Sequence, residues 1–234
     1  MRNRYKIMIG FILVMIVSAG LLSLWWQAQK QMLYEMTIMT SYPYTVSIST
    51  DQILNNVTLY VPIPILNNTS SVGQDIIDHN FNGDGPSWKY AIVETEHGPM
   101  LSMETEKMTR PPILNTTDLS TIVFSNLTAD TMNPMNNSMV LMPKYNLTYV
   151  GPGDKIYEKH AKIYTYDSQI YVHYETLPNA NVRISISLDG MNEWWDSRSS
   201  YREYMEIQLL GLQDGWKTLK GELVTGEGTY LEME

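Results

Sequence analysis

An uncharged apolar run near the start of the chain constrains its fold more than any other feature. The residues from Ile7 to Trp26, IMIGFILVMIVSAGLLSLWW, include no charged side chain. As a helix this run would span about 30 Å, which matches the hydrocarbon core of a bilayer. We therefore predict one transmembrane helix over residues 7–26.

Cations are placed unevenly around this run and predict its orientation. Arg2, Arg4 and Lys6 precede it, whereas Lys30 alone follows it closely. Because cytoplasmic flanks carry the excess of Lys and Arg, we expect residues 1–6 to be cytoplasmic and the chain after the helix to be extracytoplasmic. The protein is thus predicted to be a single-pass protein of the cell membrane.

A cleaved signal peptide is the alternative interpretation of the same run. Val17 and Ala19 are small residues suited to precede a cleavage site, with Ile7–Val17 as the apolar core of the signal. Three leucines and two tryptophans continue the run past that site, which is further than a signal peptide requires. This favours an uncleaved anchor, followed by a linker or membrane-proximal helix at 27–40 and a β-rich domain at 41–234.

The chain after residue 40 shows mostly a period of two. Along residues 181–188 (NVRISISL) every second residue is apolar, which is typical of a half-buried antiparallel strand. Turn-forming pairs predict a meander in the C-terminal third, with strands at 155–166, 169–176, 181–188, 203–210 and 216–224 separated at 167–168, 178–179, 189–190 and 214–215. The predicted fold is all-β, an antiparallel β-sandwich or jelly-roll-like domain, in one unit or in two halves that meet near residue 150.

Proline and glycine residues change the interpretation of this alternating pattern in two segments. The alternating run 57–65 contains Pro62 and Pro64, and because proline lacks a backbone donor this run is predicted to be an edge strand. The segment Gly151-Pro152-Gly153-Asp154 is predicted to be a turn.

Composition excludes several classes of protein. Cysteine is absent, so the chain has neither disulfides nor thiolate sites. Residues 1–26 hold three of the 16 Lys and Arg and none of the 25 Asp and Glu, so the remainder has a formal net charge of −12. Such a surface would repel phosphate backbones, and we therefore expect no nucleic-acid partner.

N-glycosylation sequons are concentrated in the middle of the chain. Asn is followed two positions later by Ser or Thr at Asn56, Asn67, Asn68, Asn115, Asn126, Asn136 and Asn146. This predicts either an exposed glycan coat or, alternatively, Asn- and Thr-rich turns that produce sequons without any glycan. The combination of anchor, sequons and missing cysteine resembles archaeal cell-surface proteins in general style.

One acidic loop has the spacing of a cation site. Asp78, Asn80, Asn82 and Asp84 alternate through the segment DHNFNGDG, which resembles the first half of an EF-hand-type loop. The position for a bidentate glutamate holds Lys89 instead. These four residues are therefore candidate calcium ligands, and a polar turn before the strand at Trp88 is the alternative.

No catalytic motif is present. The chain has no G-x-S-x-G, P-loop or H-E-x-x-H segment, and we expect no enzymatic activity and no required cofactor. A glycosidase-like pair such as Glu193 and Asp196 is the alternative. Of the four histidines, His160 and His173 alone are predicted to meet, on neighbouring strands.

Exposed aromatic side chains are the remaining candidates for binding. Trp194 and Trp195 are adjacent, and neighbouring strand residues point to opposite faces, so one of them is predicted to be exposed. Two functions fit the sequence. The first is a cell-surface or envelope structural or interaction protein that binds an envelope protein or its own copies. The second is a carbohydrate- or calcium-binding module that serves a membrane partner.

Overall fold

The computed structural model describes residues 2–37, 39–66, 68–79, 88–109, 120–124, 139–156, 159–194 and 197–225. Its first element, α1 (Arg2–Thr37), contains the stretch Ile12–Lys30, which is long and apolar enough to cross a membrane. None of this stretch is buried inside the structure. The chain therefore has one N-terminal helix with the length and composition of a membrane span within its described part.

Strands make up most of the rest of the described chain. They are β1 (Met39–Ser41), β2 (Tyr44–Thr50), β3 (Leu54–Val61), β4 (Ile63–Ile65), β5 (Lys89–Thr95), β6 (Gly98–Met108), β7 (Ser120–Phe124), β8 (Val140–Met142), β9 (Tyr145–Ile156), β10 (Lys159–Glu175), β11 (Asn181–Trp194), β12 (Ser197–Leu210) and β13 (Gln213–Thr225). A second helix, α2 (Ser71–His79), follows β4.

Eleven of these strands form one large antiparallel sheet. Its main path is β5-β6-β3-β10-β13-β12-β11-β2-β7, with β9 paired to β10 and β1 paired to β11. The remaining two, β4 and β8, form a small separate sheet. The C-terminal strands β10 to β13 supply the centre of the large sheet, so this region sets the geometry of both of its faces.

The large sheet encloses one hydrophobic core. In β11, Val182, Ile184, Ile186 and Leu188 are fully buried, as their alternation predicts. The hydroxyl of Tyr44 in β2 donates to the carbonyl oxygen of Pro62 at 2.6 Å, although β2 and β3 are far apart in the sheet order. The two ends of the sheet therefore face each other across the core. This confirms the predicted all-β, sandwich-like fold with one N-terminal helix.

Several predicted turns are continuous strand instead. Asp167 and Ser168 lie in the middle of β10, where Ser168 is buried and donates to the carbonyl oxygen of Pro143 at 2.6 Å. Gly190 lies within β11 opposite Tyr201. Asp214 and Gly215 pair with His173 and Val172 of β10. Pairing with neighbouring strands thus overrides the preference of these residues for a turn.

Two further predictions about strands were wrong. The segment 151–154 belongs to β9 and is not a turn, because it pairs with β10. The run 57–65 is not an edge strand: β3 lies between β6 and β10. Pro62 and Pro64 come only after β3 ends, where the chain leaves the large sheet and joins the small one as β4.

The helix α2 was missed by the strand pattern, although local signals for it exist. Ser70 is its N-cap, since the Ser70 hydroxyl oxygen accepts a bond of 2.9 Å from the backbone N–H of Gly73. Val72 and Ile76, four residues apart, are buried on one face. The helix therefore covers part of the core beside β4 and β5.

Candidate functional site

A row of aromatic side chains crosses the outer face of the large sheet. Tyr60 of β3, Tyr171 of β10 and Trp216 of β13 are direct cross-strand partners in the register. The rings of Tyr60 and Tyr171 stack with centroids 5.0 Å apart, and Trp216 meets Tyr171 edge-on at 5.6 Å. All three side chains are half-buried. We call these three residues the aromatic row.

Two residues from outside those strands extend the aromatic row. The ring of His97, from the β5–β6 hairpin, contacts Trp216 edge-on with centroids 4.6 Å apart. His97 Nδ1 lies 3.1 Å from the hydroxyl of Tyr145 at the start of β9, and 39% of Tyr145 is exposed. The aromatic surface therefore runs continuously from β3 to β9 and reaches solvent.

A polar row lies beside the aromatic row, two positions away from it on β3, β10 and β13. It consists of cross-strand partners on five strands, Lys89, Glu104, Thr58, His173 and Asp214. An open groove of about 580 Å³ follows the β5, β6 and β3 side of this row. The groove is lined by Asn56, Val57, Thr58, Lys89, Glu104, Thr105, Glu106, Lys107 and His173. The outer face thus combines stacking surfaces with hydrogen-bonding groups.

Asp214 joins the two rows. Its Oδ1 accepts a hydrogen bond from the Tyr171 hydroxyl at 2.9 Å and lies 3.3 Å from His173 Nδ1. These hydrogen bonds, from Tyr171 first and His173 second, lower the pKa of Asp214. The same bond raises the pKa of Tyr171, because ionised tyrosine cannot donate to the carboxylate. Asp214 therefore stays ionised and keeps the phenol neutral.

A second cluster of chemically notable residues lies inside the core. The ammonium of Lys144 is 2.6 Å from Oε2 of Glu203, and both side chains are almost completely buried. The hydroxyl of Tyr166 donates to Oε2 of Glu203 at 3.0 Å, and the N–H of Leu141 donates to Oε1 at 3.2 Å. The ammonium also lies 4.6 Å from the centre of the Tyr166 ring. We call this group the buried ion pair.

The buried ion pair holds the segment 139–144 against the large sheet. The N–H of Leu141 donates to Glu203, and the hydroxyl of Ser168 donates to the carbonyl oxygen of Pro143. The hydroxyl of Tyr201 donates to the carbonyl oxygen of Met139. Since all of these bonds stabilise one short segment, the role of the cluster is structural.

The candidate calcium ligands are only partly within the described residues. Asp78 lies in the last turn of α2, is exposed and accepts a hydrogen bond from Gln74 at 2.8 Å. Asn80, Asn82 and Asp84 lie outside the described residues. Within the described part of the chain, no group of three His, Asp or Glu side chains has the arrangement of a metal site. The calcium site stays a prediction.

Three sequon asparagines are described, and they share an unusual backbone. Asn56, Asn68 and Asn146 are exposed and have φ angles of 51°, 61° and 54°. Among described residues other than glycine, these three alone have positive φ. Asparagine tolerates this left-handed conformation, so the backbone gives an independent reason for Asn at these positions. Asn67, Asn115, Asn126 and Asn136 lie outside the described residues.

The remaining predicted residues are not brought together. Trp194 ends β11, but its side chain, like the whole of Trp195, lies outside what the structure describes. His160 and His173 both belong to β10, so they are not cross-strand neighbours as predicted. The cause is the continuous strand through Asp167 and Ser168.

The sequence did not predict the aromatic row, because the register of strand pairing determines which residues lie side by side. Tyr60, Tyr171 and Trp216 are far apart in the chain, and their alignment depends on pairings that periodicity does not encode. Tyr60 and Tyr171 had one local signal, since they alternate with buried neighbours such as Leu59 and Val172, whereas Trp216 had none, because Gly215 and Lys217 beside it are only partly buried. Comparison with known proteins identifies no relative, because no family model, no curated protein and no solved structure matches the chain.

Proposed function

We propose that this chain is a membrane-tethered extracytoplasmic interaction protein of the cell envelope. One observation carries the proposal: the stretch Ile12–Lys30 is apolar enough to span a bilayer and is unburied, although it is joined to a folded β-domain. An apolar surface of this size needs a covering, and lipid is the covering that its length fits.

The direction of insertion rests on charge. Arg2, Arg4 and Lys6 precede the stretch and would remain in the cytoplasm. The exposed sequon residues Asn56 and Asn146 support an extracytoplasmic address, where they would be available for glycosylation. The β-domain would then work outside the cytoplasm, close to the membrane surface.

The outer face of the large sheet is the proposed contact surface. Tyrosine and tryptophan are enriched at binding hot spots because they combine a large apolar area with a polar tip. The aromatic row presents three such rings and is bordered by the polar row. This supports binding of an envelope partner, because stacked rings bordered by hydrogen-bonding groups can position a ligand.

Single-cysteine labelling tests the tether and its orientation. The chain has no cysteine, so Leu212→Cys, at an exposed position between β12 and β13, provides one unique thiol on the domain. Asn3→Cys provides the matched thiol at the N-terminal end of α1, before the apolar stretch. In intact cells we expect a membrane-impermeant maleimide to label Leu212→Cys, and to label Asn3→Cys only after lysis.

Two further results would decide the proposal. The intact mass of the membrane-extracted chain should include residues 1–26, and alkaline carbonate should leave the chain in the membrane pellet. A mature chain that begins near residue 20, or labelling of Asn3→Cys but not Leu212→Cys in intact cells, would contradict it.

A further inference from the structure

The aromatic row and the groove form one continuous surface on the outer face of the sheet. Residues two positions apart along a strand lie about 7 Å from each other on the same face. His173 lies two positions from Tyr171 and also lines the groove, and Thr58 has the same relation to Tyr60. A ligand of moderate size would therefore touch both rows at once.

The groove has the size of a small-ligand site but an unusual lining. Its volume of about 580 Å³ falls within the range of roughly 300–1,000 Å³ found for such sites. Most such sites are lined by apolar side chains, whereas this one has Lys89 and Lys107 together with Glu104 and Glu106. The charges balance, so the groove favours a ligand that is neutral and rich in hydrogen-bonding groups.

We propose that this surface binds the neutral pyranose rings of an external carbohydrate. One face of a pyranose ring presents C–H groups, which pack on aromatic rings such as Tyr171 and Trp216. The hydroxyl groups around the ring both donate and accept, so they match the carboxylate of Glu104, the ammonium of Lys89 and the imidazole of His173. This assignment rests on the proposed extracytoplasmic function and names its ligand class.

Other ligand classes fit less well. An anionic polymer would meet Glu104, Glu106 and Asp214 on a domain that is acidic as a whole. An apolar peptide would need aliphatic side chains around the aromatic row, but polar residues lie beside it on this side: Ser102 is the partner of Tyr60 on β6, and Thr58, His173 and Asp214 lie two positions along its own strands. A polyhydroxylated ring can stack on the aromatic rings and form hydrogen bonds with the polar groups at the same time.

Calorimetric titration of the full-length chain in detergent micelles tests the assignment. The chain is produced in a bacterial host that attaches no N-glycan, so the side chain of Asn56 in the groove is unmodified. The probes are neutral tetrasaccharides of glucose, mannose, galactose and N-acetylglucosamine. We expect saturable binding of at least one probe, and at least a tenfold weaker affinity in Trp216→Ala and in Glu104→Gln.

Matched variants separate loss of the site from loss of the fold. Tyr204→Ala removes a tyrosine that is 42% exposed on β12, away from the groove, and should bind as the wild type does. Tyr171→Phe keeps the ring but removes the bond to Asp214, so it should bind more weakly while its far-UV circular dichroism is unchanged. Absence of binding by every probe, or equal binding by wild type and Glu104→Gln, would overturn the proposal.

The source of the sugar is tested separately. The wild type and the Asn56→Gln variant are both produced in a glycosylating host. If the wild type binds no probe but Asn56→Gln does, the groove holds the glycan attached to the protein itself, and the proposal of an external carbohydrate is overturned. Failure of the tether appears instead in the cysteine labelling, which does not depend on any saccharide. The two proposals can therefore fail independently.

Discussion

Lys144 and Glu203 form an ion pair of 2.6 Å in the core, with side chains that are 1% and 0% exposed. Removing two charges from water is expensive, and the cost is offset only when the partners and their hydrogen bonds are all in place. Here Tyr166 and the backbone of Leu141 complete the environment of the carboxylate. The pair thereby joins the segment after β8 to the centre of the large sheet.

Breaking this pair should destabilise the domain strongly. In Glu203→Gln the amide can still accept from Tyr166, but the ammonium of Lys144 loses its counter-charge, and we expect a loss of about 3–5 kcal/mol in the free energy of unfolding. The double variant Lys144→Met/Glu203→Gln should recover much of that loss. Urea unfolding followed by circular dichroism measures both, and a double variant that is no more stable than Glu203→Gln would show that the pair is not coupled.

Gly221 should not tolerate a side chain. It lies opposite Tyr166 in the register, and an added Cβ would overlap carbon atoms of the Tyr166 ring. Overpacking of this kind costs about 1–3 kcal/mol. Gly151→Ala is the matched control, because a Cβ on that strand glycine meets nothing within 4 Å. Thermal unfolding should separate the two variants, and equal midpoints would contradict this packing.

Asp214 should make the free energy of unfolding depend on pH in the acidic range. Its pKa is lowered in the fold by Tyr171 first and His173 second, so its contribution is present above the unfolded-state pKa of about 3.9. That contribution is lost as pH falls through the lowered pKa. The stability difference between wild type and Asp214→Asn should therefore shrink as urea midpoints are measured from pH 6 down to pH 2. A difference that does not change with pH would exclude the effect.

Tyr44 should contribute to the loss of stability at alkaline pH. Burial raises the pKa of Tyr44 well above its usual range, and its hydroxyl donates to Pro62 at 2.6 Å. A raised pKa stabilises the fold below the unfolded-state value of about 10, and this stabilisation declines as pH rises toward the folded-state value. Tyr44→Phe should lose about 1–3 kcal/mol at pH 7, since the Pro62 oxygen loses its donor.

The pH dependence distinguishes this effect from simple loss of a hydrogen bond. Between pH 10 and 12 the Tyr44→Phe variant should lose less stability than the wild type. Burial also raises the pKa of Tyr90 and of Tyr174 to about 12, so some alkaline sensitivity should remain. Parallel curves for the two proteins would show that Tyr44 does not titrate with unfolding.

Features that depend on consecutive residues were predictable from the sequence. The apolar run predicted the N-terminal helix, because spanning length and composition are properties of consecutive residues. The alternation at 181–188 predicted the buried face of β11, because successive side chains in a strand point to opposite faces. Even α2 had local signals, in the cap at Ser70 and the spacing of Val72 and Ile76.

Strand register and long-range contacts were decided by the tertiary structure alone. Asp167 and Ser168 stay in the strand because they pair with β13 and bond to Lys220 and Pro143, which are distant in the chain, and these contacts override their preference for a turn. The aromatic row exists because β3, β10 and β13 pair in one register, and a shift of one residue would turn its rings into the core. Composition and periodicity thus determined the apolar N-terminal helix and the all-β class, whereas pairing between distant strands determined the candidate site.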